Sequence, residues 1–74
     1  MYIMEVAMPI RYSSRELIEL ITQNGWMLKS VRGSHHKFTH PEKPGVIIIA
    51  HPKKNVPPGT AAQILKAAGI KPVA

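Results

Sequence analysis

The 74 residues include ten Lys or Arg, four Glu, and neither Asp nor Cys, for a net charge of +6. A chain this short is one small domain with a modest core. Without Cys there is no disulfide framework and no thiolate metal cage, which fits a reducing cytoplasm. Four scattered Glu exclude a two-metal nuclease or a carboxylate-pair hydrolase.

The opening Met1–Met8 has no clean period and is interrupted by Pro9, so residues 1–12 read as a lead, either an extension or an extra strand. It lacks the basic and long apolar regions of a signal peptide. Ser13-Ser14-Arg15-Glu16 is a capping-box pattern that opens a helix over 13–24. Leu17, Ile18, Leu20 and Ile21 fall on one face of it, and Asn24-Gly25 supplies the stop.

From Trp26 the period changes to that of strands. Trp26–Val31, His35–His40 and Val46–Ala50 are three candidate strands, separated by turn residues at Arg32-Gly33-Ser34 and at Pro41–Gly45. The stretch from His51 to Pro58 is a proline-stiffened loop. Pro58-Gly59-Thr60 then opens a second helix with Ala61, Ile64, Leu65 and Ala68 inward and Gly69 as its stop. The expected fold is α+β, in the order α-β-β-β-α. Two helices on one face of a three-stranded antiparallel sheet would bury Leu17, Ile21, Trp26, Phe38, Ile64 and Leu65 together. Residues 13–70 form the single domain and 71–74 a tail.

Charge is unevenly spread along this framework. Residues 1–28 carry −1 and residues 29–74 carry +7, a balance that suits a polyanion or simply a solvated surface. The longest apolar run, Val46–Ala50, is far shorter than the ~20 residues of a membrane span. No helix carries a dense run of base-reading polar residues, so direct DNA binding by this chain is not expected.

Four histidines, at 35, 36, 40 and 51, crowd one stretch. Alternation puts His36, Phe38 and His40 on one face of their strand and His35, Lys37 and Thr39 on the other. With Phe38 directed to the core, His35 and Lys37 lie on the open face. An imidazole titrating near neutrality beside cations suits proton transfer on a phosphodiester. His36 and His40 are too far apart on an extended strand for one ion, and His35 points away from both. No metal is therefore expected, with His51 the one histidine left to approach from the third strand. A serine triad has no Asp or well-placed Glu behind Ser34.

Gly33-Ser-His-His36, followed by Phe38 and His40-Pro41, resembles the HicA family of toxins. The likeness includes Ser14-Arg-Glu-Leu-Ile, Asn24-Gly-Trp26, His51-Pro-Lys-Lys54, Pro58-Gly-Thr60 and Ile64-Leu-Lys-Ala-Ala-Gly69-Ile70, and so spans residues 13–70. It implies a fold like that of double-stranded-RNA-binding domains. It also implies a cytoplasmic, metal-independent mRNA interferase needing no cofactor, acting on single-stranded or structured mRNA and neutralised by a HicB-like antitoxin. The family's essential histidine follows the Gly-Ser pair, which here is His35, with His36 and Ser34 in secondary roles. Lys29, Arg32, Gly33, Lys37, Lys53 and Lys54 are the expected RNA contacts. The rival expectation is a non-catalytic RNA-binding module of the same fold, in which His35 stacks on or hydrogen-bonds RNA.

Overall fold

The structure is a computed structural model and describes residues 11–71. Most of the leading segment, and the tail beyond Lys71, lie outside these residues. Two helices and three strands follow in the order α1 (Ser14–Gln23), β1 (Met27–Arg32), β2 (His35–Thr39), β3 (Ile47–Ala50) and α2 (Pro58–Ala68). The strands form an antiparallel meander with β2 in the centre.

Helix α1 begins where the capping pattern predicts. The Ser13 hydroxyl accepts from the Glu16 amide at 3.1 Å, and the Glu16 carboxylate accepts from the Ser13 amide at 2.8 Å. These bonds satisfy two of the donors a helix start leaves open. Asn24 caps the other end, and Gly25 at φ +95° turns the chain into the sheet. A side chain at Gly25 would meet the His40 ring, with Nε2 only 2.6 Å from an added Cβ.

Helix α2 starts with Pro58 in its first turn, where a missing amide costs nothing, and ends at Gly69 in the left-handed conformation. The Ile70 amide reaches back to the Leu65 carbonyl at 2.9 Å, and Ile70 packs against the core. The Ala68 carbonyl is taken by two side chains, Trp26 Nε1 at 3.3 Å and Lys43 Nζ at 3.1 Å. This end of α2 is thereby tied to the start of β1 and to the β2–β3 connection.

Leu17 and Ile21 of α1, Ile64 and Leu65 of α2, and Phe38, Ile47 and Ile49 of the sheet form one buried cluster with Trp26. Both helices therefore cover the sheet face that carries Phe38 and Ile49, as the alternation predicts. Tyr12 adds a bridge to Val56, so the chain just before α1 is held against the loop that precedes α2. The His51–Pro52 peptide is cis.

Strand β1 departs from simple alternation. Leu28 pairs with Phe38, but the next pair is Ser30 with Lys37, so Lys29 is an extra residue in a β-bulge. Beyond it the partners are Val31 with His36 and Arg32 with His35. An uninterrupted strand would turn Arg32 toward the helices. The bulge reverses the alternation and puts Ser30 and Arg32 on the open face.

Candidate nucleic-acid interface

Directly opposed residues in a ladder share a face, which fixes the layout of the open side of the sheet. At the hairpin end, Arg32, His35 and Ala50 lie in one row across the three strands. In the next row lie Ser30, Lys37 and Ile48. Ser30, Arg32, His35, Lys37 and Ile48 of these rows, with Val31, line an open concavity of about 450 Å³. Opposed Cβ atoms in such a ladder are ~4.5–5.5 Å apart, so a guanidinium, an imidazole and an ammonium stand on neighbouring positions of one face. Ala50, the ladder partner of His35, is the smallest side chain in the row.

The ring-nitrogen hydrogen bonds among the described residues belong to the other three histidines. His35 is exposed on β2, and no ring-nitrogen hydrogen bond of its own is seen among the described residues. No carboxylate lines the concavity. Its donors are cationic or neutral, suited to an anionic backbone.

The other predicted site residues fall into distinct places. Gly33 and Ser34 make the β1–β2 turn, with Gly33 at φ +60° and open space where a side chain would stand. Lys29 is exposed in the bulge and does not line the concavity. His36 points to the helix side, opposite Val31 and Ile49. Its Nδ1 lies 3.2 Å from the Ser34 carbonyl. A carbonyl only accepts, so Nδ1 carries the proton and Nε2 is the acceptor of the neutral ring. Lys53 and Lys54 are exposed beyond β3, near the start of α1 rather than on the open face.

His51 supplies a connection that sequence reasoning missed. Ser14 Oγ is 2.6 Å from His51 Nδ1 and accepts the Lys53 amide at 2.8 Å, while the Ser14 amide donates to the Lys53 carbonyl at 2.8 Å. Oγ has two acceptor lone pairs and one proton, so it can accept from the Lys53 amide and still share a hydrogen bond with His51 Nδ1 in either tautomer of the ring. A serine beside a histidine suggests a nucleophile, but Ser14 is only 1% exposed. It cannot meet a substrate, and acts as a clamp. The His51 ring meets the His36 ring edge to face at 5.1 Å, and the His51 amide donates to the Ser34 carbonyl at 2.8 Å. The turn that precedes His35 is thus pinned to the end of β3.

His40 is fixed at both nitrogens. The Glu42 amide donates to Nδ1 at 3.0 Å, and Nε2 donates to the Asn24 carbonyl at 3.0 Å. Its ring also meets Trp26 edge-on at 5.3 Å. Among the described residues no group of three or more His, Cys, Asp or Glu is arranged to hold a metal ion, and no helix is long and apolar enough to cross a membrane.

No curated protein matches the chain. The family model described as "HicA toxin of bacterial toxin-antitoxin" matches residues 14–70, from the clamp serine to the end of the second helix. Such toxins are in general RNA-cleaving proteins, with a HicB-type antitoxin as partner. With the expected α-β-β-β-α order in place and that match running through every element of it, the chain belongs to the HicA family of toxins.

Proposed function

We propose that this toxin cleaves mRNA at the open face of its sheet, with His35 as the group that moves a proton. The observation that supports this reading is the row of Arg32, His35 and Ala50, with Lys37 in the adjoining row. A strand lying across these rows puts a phosphodiester between Arg32 and Lys37 with the imidazole beside it. The ribose 2′-oxygen attacks the adjacent phosphorus, the bond to the 5′-oxygen breaks, and a 2′,3′-cyclic phosphate and a 5′-hydroxyl result. His35 either takes the proton from the 2′-hydroxyl or gives one to the departing 5′-oxygen, and water exchanges the other. Arg32 and Lys37 stabilise the charge that builds on the phosphoryl oxygens. Dependence on the 2′-hydroxyl selects RNA over DNA.

The cationic lining without a carboxylate favours a reaction that needs no bound metal. Proton transfer by one positioned histidine contributes roughly 10²–10⁴ in rate, so the enzyme is slow, and slow cleavage is enough for a toxin acting over a cell's doubling time. Lys29 extends the contact along β1. His36 and Ser34 serve the site by holding the turn.

The antitoxin, a HicB-like protein, is proposed to inhibit by covering this face. Ile48 lies on it at 56% exposure beside Lys37, a combination that suits a partner surface with acidic groups around an apolar patch.

Incubation of long RNA with purified protein in EDTA, beside His35→Ala, tests the reading. Cleavage by the wild type that falls about 100-fold or more in the variant is expected. RNA left intact by the wild type would assign the chain to the non-catalytic binding module. Cleavage unchanged in the variant would remove His35 from the chemistry.

A further inference from the structure

On the helix side of the same sheet end lies a second cationic concavity. It measures about 480 Å³ and is lined by Ser13, Ser14 and Arg15 from the start of α1 and by His51, Lys53 and Lys54 from the segment after β3. The clamp at Ser14 makes this a built arrangement. Two hydrogen bonds hold the Lys53 backbone to Ser14, and a third holds the His51 ring. The start of α1 and the segment after β3 are therefore held together, which brings Arg15, Lys53 and Lys54 to one concavity although they are far apart in sequence.

The cationic groups of this lining are the Arg15 guanidinium and the Lys53 and Lys54 ammonium groups, with the His51 ring among them. The acidic group of the helix turn, Glu16, has its carboxylate bonded to the Ser13 amide. The helix amides add little, because those of Ser14 and Glu16 already donate to Lys53 and Ser13. Attraction at this place comes from the side-chain charges, and what they attract is a phosphate.

The position of the pocket decides which phosphate. Ala50 is the ladder partner of His35, His51 follows it, and the His51 amide is bonded to the Ser34 carbonyl. The pocket therefore adjoins the end of the sheet where His35 stands, on the opposite side. Between the two lies the Gly33-Ser34 turn, with open space above Gly33. We propose that this pocket binds a backbone phosphate of the same RNA strand that reaches His35, the strand bending around the β1–β2 turn. The proposal rests on RNA being the ligand of the open face, and it makes the pocket an anchor for nucleotides beside the reacting one.

A fully 2′-O-methylated ten-nucleotide RNA, which cannot be cleaved through its 2′-oxygens, tests this whether or not the protein is a nuclease. In a titration followed by backbone amide NMR, we expect shifts at Ser14, Arg15, Lys53 and Lys54 together with shifts at Arg32, His35 and Lys37. In the Lys53→Gln/Lys54→Gln double variant, affinity is expected to fall about tenfold at moderate salt. The slope of log affinity against log salt becomes shallower by about 0.7 for each phosphate no longer neutralised by a lysine. Open-face shifts without pocket shifts, or affinity unchanged in the double variant, would overturn the proposal. Inorganic phosphate binding at the same amides as tightly as the oligonucleotide would assign the pocket to a free anion and also overturn it. Cleavage of unmodified RNA is read in parallel. Pocket shifts without cleavage would keep the anchor and remove the nuclease, whereas cleavage without pocket shifts would do the reverse.

Discussion

Arg32 and His35 are direct partners across the β1–β2 ladder, a register that holds because Lys29 is left out of the pairing upstream. The pairing of charge and imidazole is thus a matter of register. Replacing Arg32 by Gln keeps the ladder and removes the charge, so cleavage of RNA should fall about tenfold or more while thermal stability stays within ~0.5 kcal/mol. Equal activity in initial-rate assays would take Arg32 out of the site.

The bulge itself gives a second test. Deleting Lys29 makes the ladder continuous from Leu28 to Arg32 and leaves every facing unchanged. The deletion should therefore fold, at a cost of about 1 kcal/mol, and should retain cleavage within the drop expected for removing one cation. Inserting an Ala between Ser30 and Val31 should instead break the Arg32–His35 pairing or unpair the strand. Thermal melts and RNA cleavage on both proteins check this, and a dead deletion beside an active insertion would contradict it.

Ala50 stands opposite His35 and is exposed on the open face. Ala50→Leu adds bulk beside the imidazole without touching the core. Cleavage should drop several-fold with the melting temperature nearly unchanged, and the loss should be larger for structured RNA than for a flexible single strand. An unaltered rate on both substrates would mean that the strand lies elsewhere.

Ser14 holds Lys53 and His51 from within the fold. Ser14→Ala leaves the Lys53 amide without its acceptor, a loss of about 1–3 kcal/mol in denaturant unfolding. A variant as stable as the wild type would show that the clamp does not stabilise the fold.

At the other end of α1, Gly25→Ala combines a left-handed backbone with a Cβ placed against His40. Destabilisation of about 1–3 kcal/mol is expected. His40→Ala in the same background should recover part of it by removing the collision, as a double-mutant cycle would read.

Local signals carried most of the fold. The capping box at Ser13 and Glu16, the glycine stops at Gly25 and Gly69, and the apolar spacing of both helices depend on neighbours within a few residues, so they are visible in the chain itself. The division of β2 into a Phe38 face and a His35 face followed from alternation alone. Lys29 was not legible as a bulge, because neither it nor Ser30 is a residue that marks one and only the facing strand reveals the mismatch. The Ser14–His51 hydrogen bond joins positions far apart in the chain, and in sequence Ser14 looks like an ordinary first residue of a capped helix. His40 is one of four histidines crowded in one stretch of sequence, and its two hydrogen bonds, to Asn24 and Glu42, commit it to structure.

His35 and His36 sit side by side in the chain yet look out on separate surfaces of a pleated sheet. Neither ring can stand in for the other without the whole strand turning over. With His35 as the proposed proton-moving group, its loss should not be rescued by His36, and counting histidines in the motif overstates how many a substrate on either surface meets.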